Sequence, residues 1–175
     1  MVFQKFILLL VLTLFVGRGM ALHSGLEFLD DPAPGSAFEL PDLGGEIHRL
    51  DDYRGNYLII SFWATWCGPC VREMPALQRA FQALRHDRIQ VLAINVGETR
   101  KRVQRFDEAF DYQFPLLLDE GMSVSTAWQV AVMPTSFIVD PKGAVVARVI
   151  GVFHWDAPEF VEKLKRMNAR YAHLK

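Results

Sequence analysis

Cysteine is scarce in this 175-residue chain, which has only Cys67 and Cys70, three residues apart. A disulfide scaffold in an exported domain uses several widely spaced bridges. A bridge closing so short a loop removes little chain entropy, so the pair reads as chemistry rather than as a staple. A zinc centre needs further ligands, and His23, His48, His86, His154 and His173 show no paired ligand spacing. No metal and no cofactor is expected. Charge of one sign is lacking too: 19 Lys and Arg against 20 Asp and Glu give a net −1. That balance offers no basic face for nucleic acid and is too mild to imply a cationic partner. There are no internal repeats and no low-complexity runs.

Apolar runs long enough to span a bilayer are also missing. The stretch Phe6 to Gly17 has twelve residues, short of the ~20 that a membrane-crossing helix needs. It follows Lys5 and precedes the small residues of Gly19-Met20-Ala21, the layout of a secretory signal. Residues 1–21 are therefore expected to be a signal peptide, or an N-terminal membrane anchor if uncleaved. Leu22 favours the anchor and Arg18 opposes it. Either way the folded part faces the far side of the membrane. Residues 22–36, with the Pro-rich Asp30 to Gly35, read as a linker. Residues 37–175 are enough for one ordinary domain.

Within the domain, Phe38, Leu40, Ile47 and Leu50 flank the turn signal Asp42-Leu43-Gly44-Gly45, which predicts a small β-hairpin. Tyr57 to Ala64 is a continuous apolar, β-branched and aromatic run, as in a strand buried on both faces. From Gly68 to Arg85, Val71, Met74, Leu77, Phe81 and Leu84 recur at helical spacing, with a kink expected at Pro75. A strand follows over Ile89 to Val96. A helix over Glu98 to Phe110 is expected to turn Val103, Phe106 and Phe110 inward. A strand at Pro115 to Leu118 and a short helix at Met122 to Trp128 come next. Strands at Thr135 to Val139 and Ala144 to Ile150 are joined by the turn Asp140-Pro141-Lys142-Gly143. Asp156 is expected to cap a last helix lined by Phe160, Val161, Leu164 and Met167. Strands alternating with helices, then a hairpin and a helix, imply an α/β sheet covered on both faces.

Trp66-Cys67-Gly68-Pro69-Cys70 falls where the buried strand hands over to the helix. At the helix start Cys67 meets unsatisfied N–H groups and the positive end of the dipole, which favour the thiolate, the attacking species in disulfide exchange. Cys70, one turn on and nearer the interior, suits the resolving step. Pro69 presets the helix start, and Gly68 lets a partner chain come close.

Trp63-Ala64-Thr65-Trp66-Cys67-Gly68-Pro69-Cys70, with Arg72-Glu73-Met74-Pro75, resembles the exported thioredoxin-like proteins of the TlpA/ResA type. So does Val132-Met133-Pro134-Thr135-Ser136-Phe137-Ile138-Val139-Asp140. The resemblance runs from about Ala37 to Leu164. It implies a thioredoxin fold: a central mixed β-sheet with helices on both faces, an N-terminal β-hairpin, and a βα-type insertion over about Gly97 to Leu118. It implies that Pro134 is a cis-proline beside the cysteines, and that the backbone of Met133 pairs with an extended substrate chain. Glu73 matches a carboxylate near the thiols that tunes them or relays a proton; the competing reading is an exposed glutamate favouring the helix dipole. Trp63 and Trp66 shield the site on this reading, although Trp63 also suits plain core. Cytoplasmic thioredoxins carry a buried Asp where this chain has Ser61, which puts the usual proton relay in doubt.

The function so implied is a thiol–disulfide oxidoreductase that reduces disulfides of exported proteins in the periplasm, for example in cytochrome c maturation. A membrane electron donor of the DsbD type would re-reduce it. The nearest rival is a disulfide oxidase or isomerase. Thiol peroxidases of related fold place Thr or Ser three residues before the attacking Cys and Pro four before that, where this chain has Ala64 and Ile60. Copper carriers of this fold space their cysteines one residue wider.

Overall fold

The structure is a computed structural model that describes residues 25–172; the leader lies outside the described residues. Six strands form one mixed sheet in the order β1 (Gly25–Pro34), β8 (Ala144–Ile150), β7 (Thr135–Val139), β4 (Tyr57–Trp63), β5 (Ile89–Val96) and β6 (Leu116–Asp119). Its centre is β4 (Tyr57–Trp63), buried at every position, as a continuous apolar run requires. β4 pairs in parallel with β5 (Ile89–Val96) and antiparallel with β7 (Thr135–Val139). β6 (Leu116–Asp119) adds to β5 in parallel, and β8 (Ala144–Ile150) adds to β7 antiparallel.

The pleat of β4 sorts the core into two layers. Ile59 and Trp63 face a cluster that takes in Met74, Leu77 and Leu84 of α1 (Gly68–Leu84), Val103 of α2 (Arg100–Asp107), and Phe160, Val161 and Leu164 of α4 (Pro158–Ala172). Leu58, Ile60 and Phe62 face the opposite cluster with Phe38, Leu40, Leu50, Val124 and Trp128. That second layer is built from α3 (Ser123–Ala127), a 3-10 turn at Leu50–Tyr53, and the hairpin of β2 (Glu39–Pro41) and β3 (Ile47–Arg49). Both faces of the sheet are covered, as in a thioredoxin fold. Among the described residues no helix is long and apolar enough to cross a membrane.

Three expectations need correction. Residues 30–35, read as linker, belong largely to β1 (Gly25–Pro34), which pairs antiparallel with β8 and carries an irregularity between Phe28 and Ala33. Proline lacks a ladder donor and so tolerates an edge strand; Pro32 falls within the irregularity, and Pro34 pairs with Ala144 at the strand's end. The second helix is shorter than expected. It begins at Arg100 and ends at Asp107, and Phe110 is exposed, its ring tilted against that of Phe106 at 4.7 Å rather than turned inward. The last helix begins at Pro158, and the Asp156 carboxylate pairs with Arg79 Nε at 2.7 Å rather than with that helix's backbone. α1 continues through Pro75 to Leu84.

Candidate active site

β4 ends at Trp63, and the chain turns back on itself over the next four residues. The Cys67 N–H donates to the Ala64 carbonyl at 3.1 Å, and α1 then starts at Gly68 with Cys67 as its N-cap. Cys67 Sγ accepts the Cys70 N–H at 3.3 Å, taking one of the donors that a helix start leaves unpaired. Pro69 sits in the first turn, where no N–H is needed. The two cysteines are joined in a disulfide with Cα atoms 5.2 Å apart. Cys67 is 6% exposed and Cys70 1%. Beside them Trp66 stands 63% exposed, whereas Trp63 is wholly buried, its ring 5.1 Å from that of Phe106. Trp63 is core.

The Met133–Pro134 peptide bond is cis, in keeping with its Met-Pro-Thr setting. Thr135 is the register partner of Phe62, so Pro134 lies level with Trp63, at the end of β4 from which the cysteine turn departs. The Pro134 carbonyl accepts the Gly151 N–H at 2.9 Å, bringing the end of β8 to the same place. Val132 and Val152, like Trp66, are exposed apolar residues on these loops. The cysteines therefore open onto a surface with apolar side chains around it.

Glu73 is buried, at 1% exposure. It lies three residues after Cys70 on the inward stripe of α1. Its Oε1 accepts the indole N–H of Trp155 at 2.5 Å and the Phe153 N–H at 3.0 Å. Its Oε2 meets no donor among the described residues. Burial pushes the carboxyl up to about 7, and the two hydrogen bonds offset only part of that. The competing reading, an exposed glutamate that stabilises the helix dipole, does not hold.

Comparison with known proteins agrees with this geometry. Residues 29–148 match the model of the AhpC/TSA family. The thiol–disulfide oxidoreductase ResA of Geobacillus thermodenitrificans is 38% identical over 129 residues, 73% of this chain and 74% of that protein. ResA of Bacillus subtilis is 32% identical over 146 residues, 82% of each chain. The chain belongs to the AhpC/TSA family, as a thiol–disulfide oxidoreductase of the ResA type. The crystal structure of StoA from Bacillus subtilis superposes with a TM-score of 0.63 at 27% identity, covering 77% of this chain and 98% of StoA.

In this ResA-type protein one site residue escaped sequence reasoning. Gly97, at φ +73, turns the chain at the end of β5, where a Cβ would meet Met122 Sδ at 3.2 Å. Glu98 is thereby sent back toward the cysteine turn. Its carboxylate accepts the Thr65 N–H and the Thr65 hydroxyl, both at 2.6 Å, and Asn95 Nδ2 at 2.8 Å. Arg102 Nε lies 2.5 Å from Oε1. Burial works against ionisation of Glu98, but the bonds from Thr65 and Asn95 and the charge of Arg102 outweigh it and hold the carboxyl below the usual range. Glu98 clamps the turn that carries Trp66 and Cys67. The only sequence signal was an acidic residue ahead of a helix, which read as part of that helix. Ser61, at the position of the thioredoxin aspartate, is buried opposite Ser136 in register, and neither hydroxyl has a partner among the described residues.

Proposed function

We propose that the protein reduces disulfides of exported proteins, with Cys67 attacking and Cys70 resolving. The placement of Cys67 Sγ at the start of α1 carries this reading. There the sulfur accepts a backbone N–H and lies at the positive end of the helix dipole, which favours its ionised form. In the reduced protein the Cys67 thiolate attacks one sulfur of a client disulfide. A mixed disulfide forms and the first client thiolate leaves. Cys70 then gives up its proton and attacks Cys67 Sγ. The second client thiolate departs, and the Cys67–Cys70 disulfide described above is the product. Two electrons have passed to the client. Glu73, one turn from Cys70 and with a carboxyl pushed up to about 7, is suited to hold and release that proton near neutral pH. Trp66, Gly68 and Pro69 line the approach to Cys67. Met133 and Pro134, ahead of β7, offer main chain to an extended client segment.

By kinship the clients belong to an assembly pathway such as cytochrome c maturation, in the periplasm. A membrane donor of the DsbD type would restore the dithiol, and residues 1–21 would serve as signal peptide or membrane tether. A peroxidase reading, which the breadth of the family name allows, is disfavoured by buried Ala64 and Ile60 at the positions where such enzymes need Thr or Ser and Pro.

The test has two parts. Cys70→Ser should accumulate mixed disulfides through Cys67, whereas accumulation through Cys70 in Cys67→Ser would reverse the roles. Equilibration with glutathione should give a potential near about −270 mV, as for a reducing thioredoxin; one near about −120 mV would make the protein an oxidant and overturn the direction.

A further inference from the structure

The hairpin of β2 and β3 gathers three side chains that the redox chemistry does not use. The Asp42 N–H donates to the Glu46 carbonyl at 2.8 Å, so these two residues face each other across the hairpin. His48 lies two residues beyond Glu46 and shares its side of β3, as strand pleating dictates. His48 pairs with Leu40, which lies two residues before Asp42, so Asp42, Glu46 and His48 all fall on one face. One ligand atom from each lies within 4.8 Å of those of the other two. We propose that Asp42, Glu46 and His48 form a binding site for one divalent transition cation of the zinc class.

Three observations carry this. First, His48 Nε2 and Asp42 Oδ2 are 3.4 Å apart, long for a charge-assisted hydrogen bond. The edge of a tetrahedron around Zn²⁺, with bonds of ~2.1 Å, is about 3.4 Å. An octahedral Mg²⁺ shell has edges of about 3 Å, and Ca²⁺ takes oxygen rather than imidazole. Second, the ligands are held from behind. His48 Nδ1 is hydrogen-bonded to the Tyr53 hydroxyl at 2.5 Å, which leaves Nε2 facing Asp42. Asp42 Oδ1 is engaged by the Glu46 N–H at 2.9 Å, leaving Oδ2 for the cation. A cation on Nε2 fixes the ring proton on Nδ1, and the phenol oxygen accepts it. Such outer partners orient metal-bound histidines generally. Third, the support is held by the rest of the fold. Asp42 bridges to Leu117 of β6, and Arg100 Nη1 binds the carbonyls of Asp42 and Leu43 at 2.7 and 2.5 Å. Arg100 Nη1 is thus bound to the hairpin backbone. The histidines show no paired spacing in the sequence because the ligand set mixes one imidazole with two carboxylates, brought together by the hairpin turn.

The site is tested on the full chain with the Cys67–Cys70 disulfide formed, so that the thiols cannot compete. The protein is stripped with chelator and titrated with Zn²⁺ against a chromogenic zinc chelator, and separately with Co²⁺ to read its absorption. One equivalent of Zn²⁺ should bind, and Co²⁺ should show the intense visible bands of a tetrahedral site. His48→Ala and Asp42→Asn should abolish binding, and Tyr53→Phe should weaken it roughly 10- to 100-fold. Glu46 is exposed, so Glu46→Gln tests the site without risk to the fold and should weaken binding as well. Absence of saturable Zn²⁺ binding to the oxidised protein, or wild-type affinity in both His48→Ala and Glu46→Gln, would overturn the proposal.

Discussion

Replacing Glu73 by Gln removes a titrating group from the interior while keeping its shape. The side-chain oxygen can still accept from Trp155 and Phe153. The new amide nitrogen falls where Oε2 meets no donor, and its unpaired N–H groups add an offset of about 1–3 kcal/mol that does not depend on pH. The native carboxyl ionises near 7 when folded, against an ordinary 4.5. Between those values the folded chain keeps a proton that the unfolded chain has lost, so raising the pH through this window destabilises the fold. At 1.36 kcal/mol per unit the loss comes to about 3 kcal/mol, complete above about pH 7. The variant has no such dependence. Urea unfolding of the two oxidised proteins, run in parallel from about pH 4 to about pH 8, cancels every other titration in the difference. The stability of Glu73→Gln relative to wild type should climb by about 3 kcal/mol across that range. A difference that stays level would show that Glu73 is ionised at its ordinary pH, and the proton-holding role proposed for it would fall.

Trp155→Phe should move the same carboxyl further upward, because it removes a donor that favours the ionised form; the Glu73 side-chain resonance, followed by NMR across pH, reads the shift directly. Glu98→Ala should cost about 2 kcal/mol or more, since it strands the buried Thr65 N–H and Asn95 amide. It should also change the alkylation rate of Cys67 in the reduced protein, while Arg49→Ala, an exposed pair with Glu39, should leave both stability and rate within error.

Local pattern carried most of this fold. The apolar run of β4, the helical stripe of α1 and the closing hairpin were all visible, because their apolar spacing is dictated by burial against immediate layers. Even the burial of Glu73 had a trace. It stands beside Met74 on the stripe that runs from Cys70 to Leu77, and only its charge argued for solvent. What the sequence hid depends on distant partners. β1 was invisible because its register partner lies more than a hundred residues away and its prolines resemble a linker. Glu98 and Asp156 looked like ordinary helix-start acids until tertiary contacts with Thr65 and Arg79 claimed them.

The edge strand also fixes an orientation. Gly25 pairs with Ile150, Ile150 with Thr135, and Thr135 with Phe62, a single row across the sheet on the side where the sulfurs emerge. Gly25 therefore lies at the redox pole of the molecule. A tether attached there would hold the dithiol facing its anchorage, with the opposite pole turned outward.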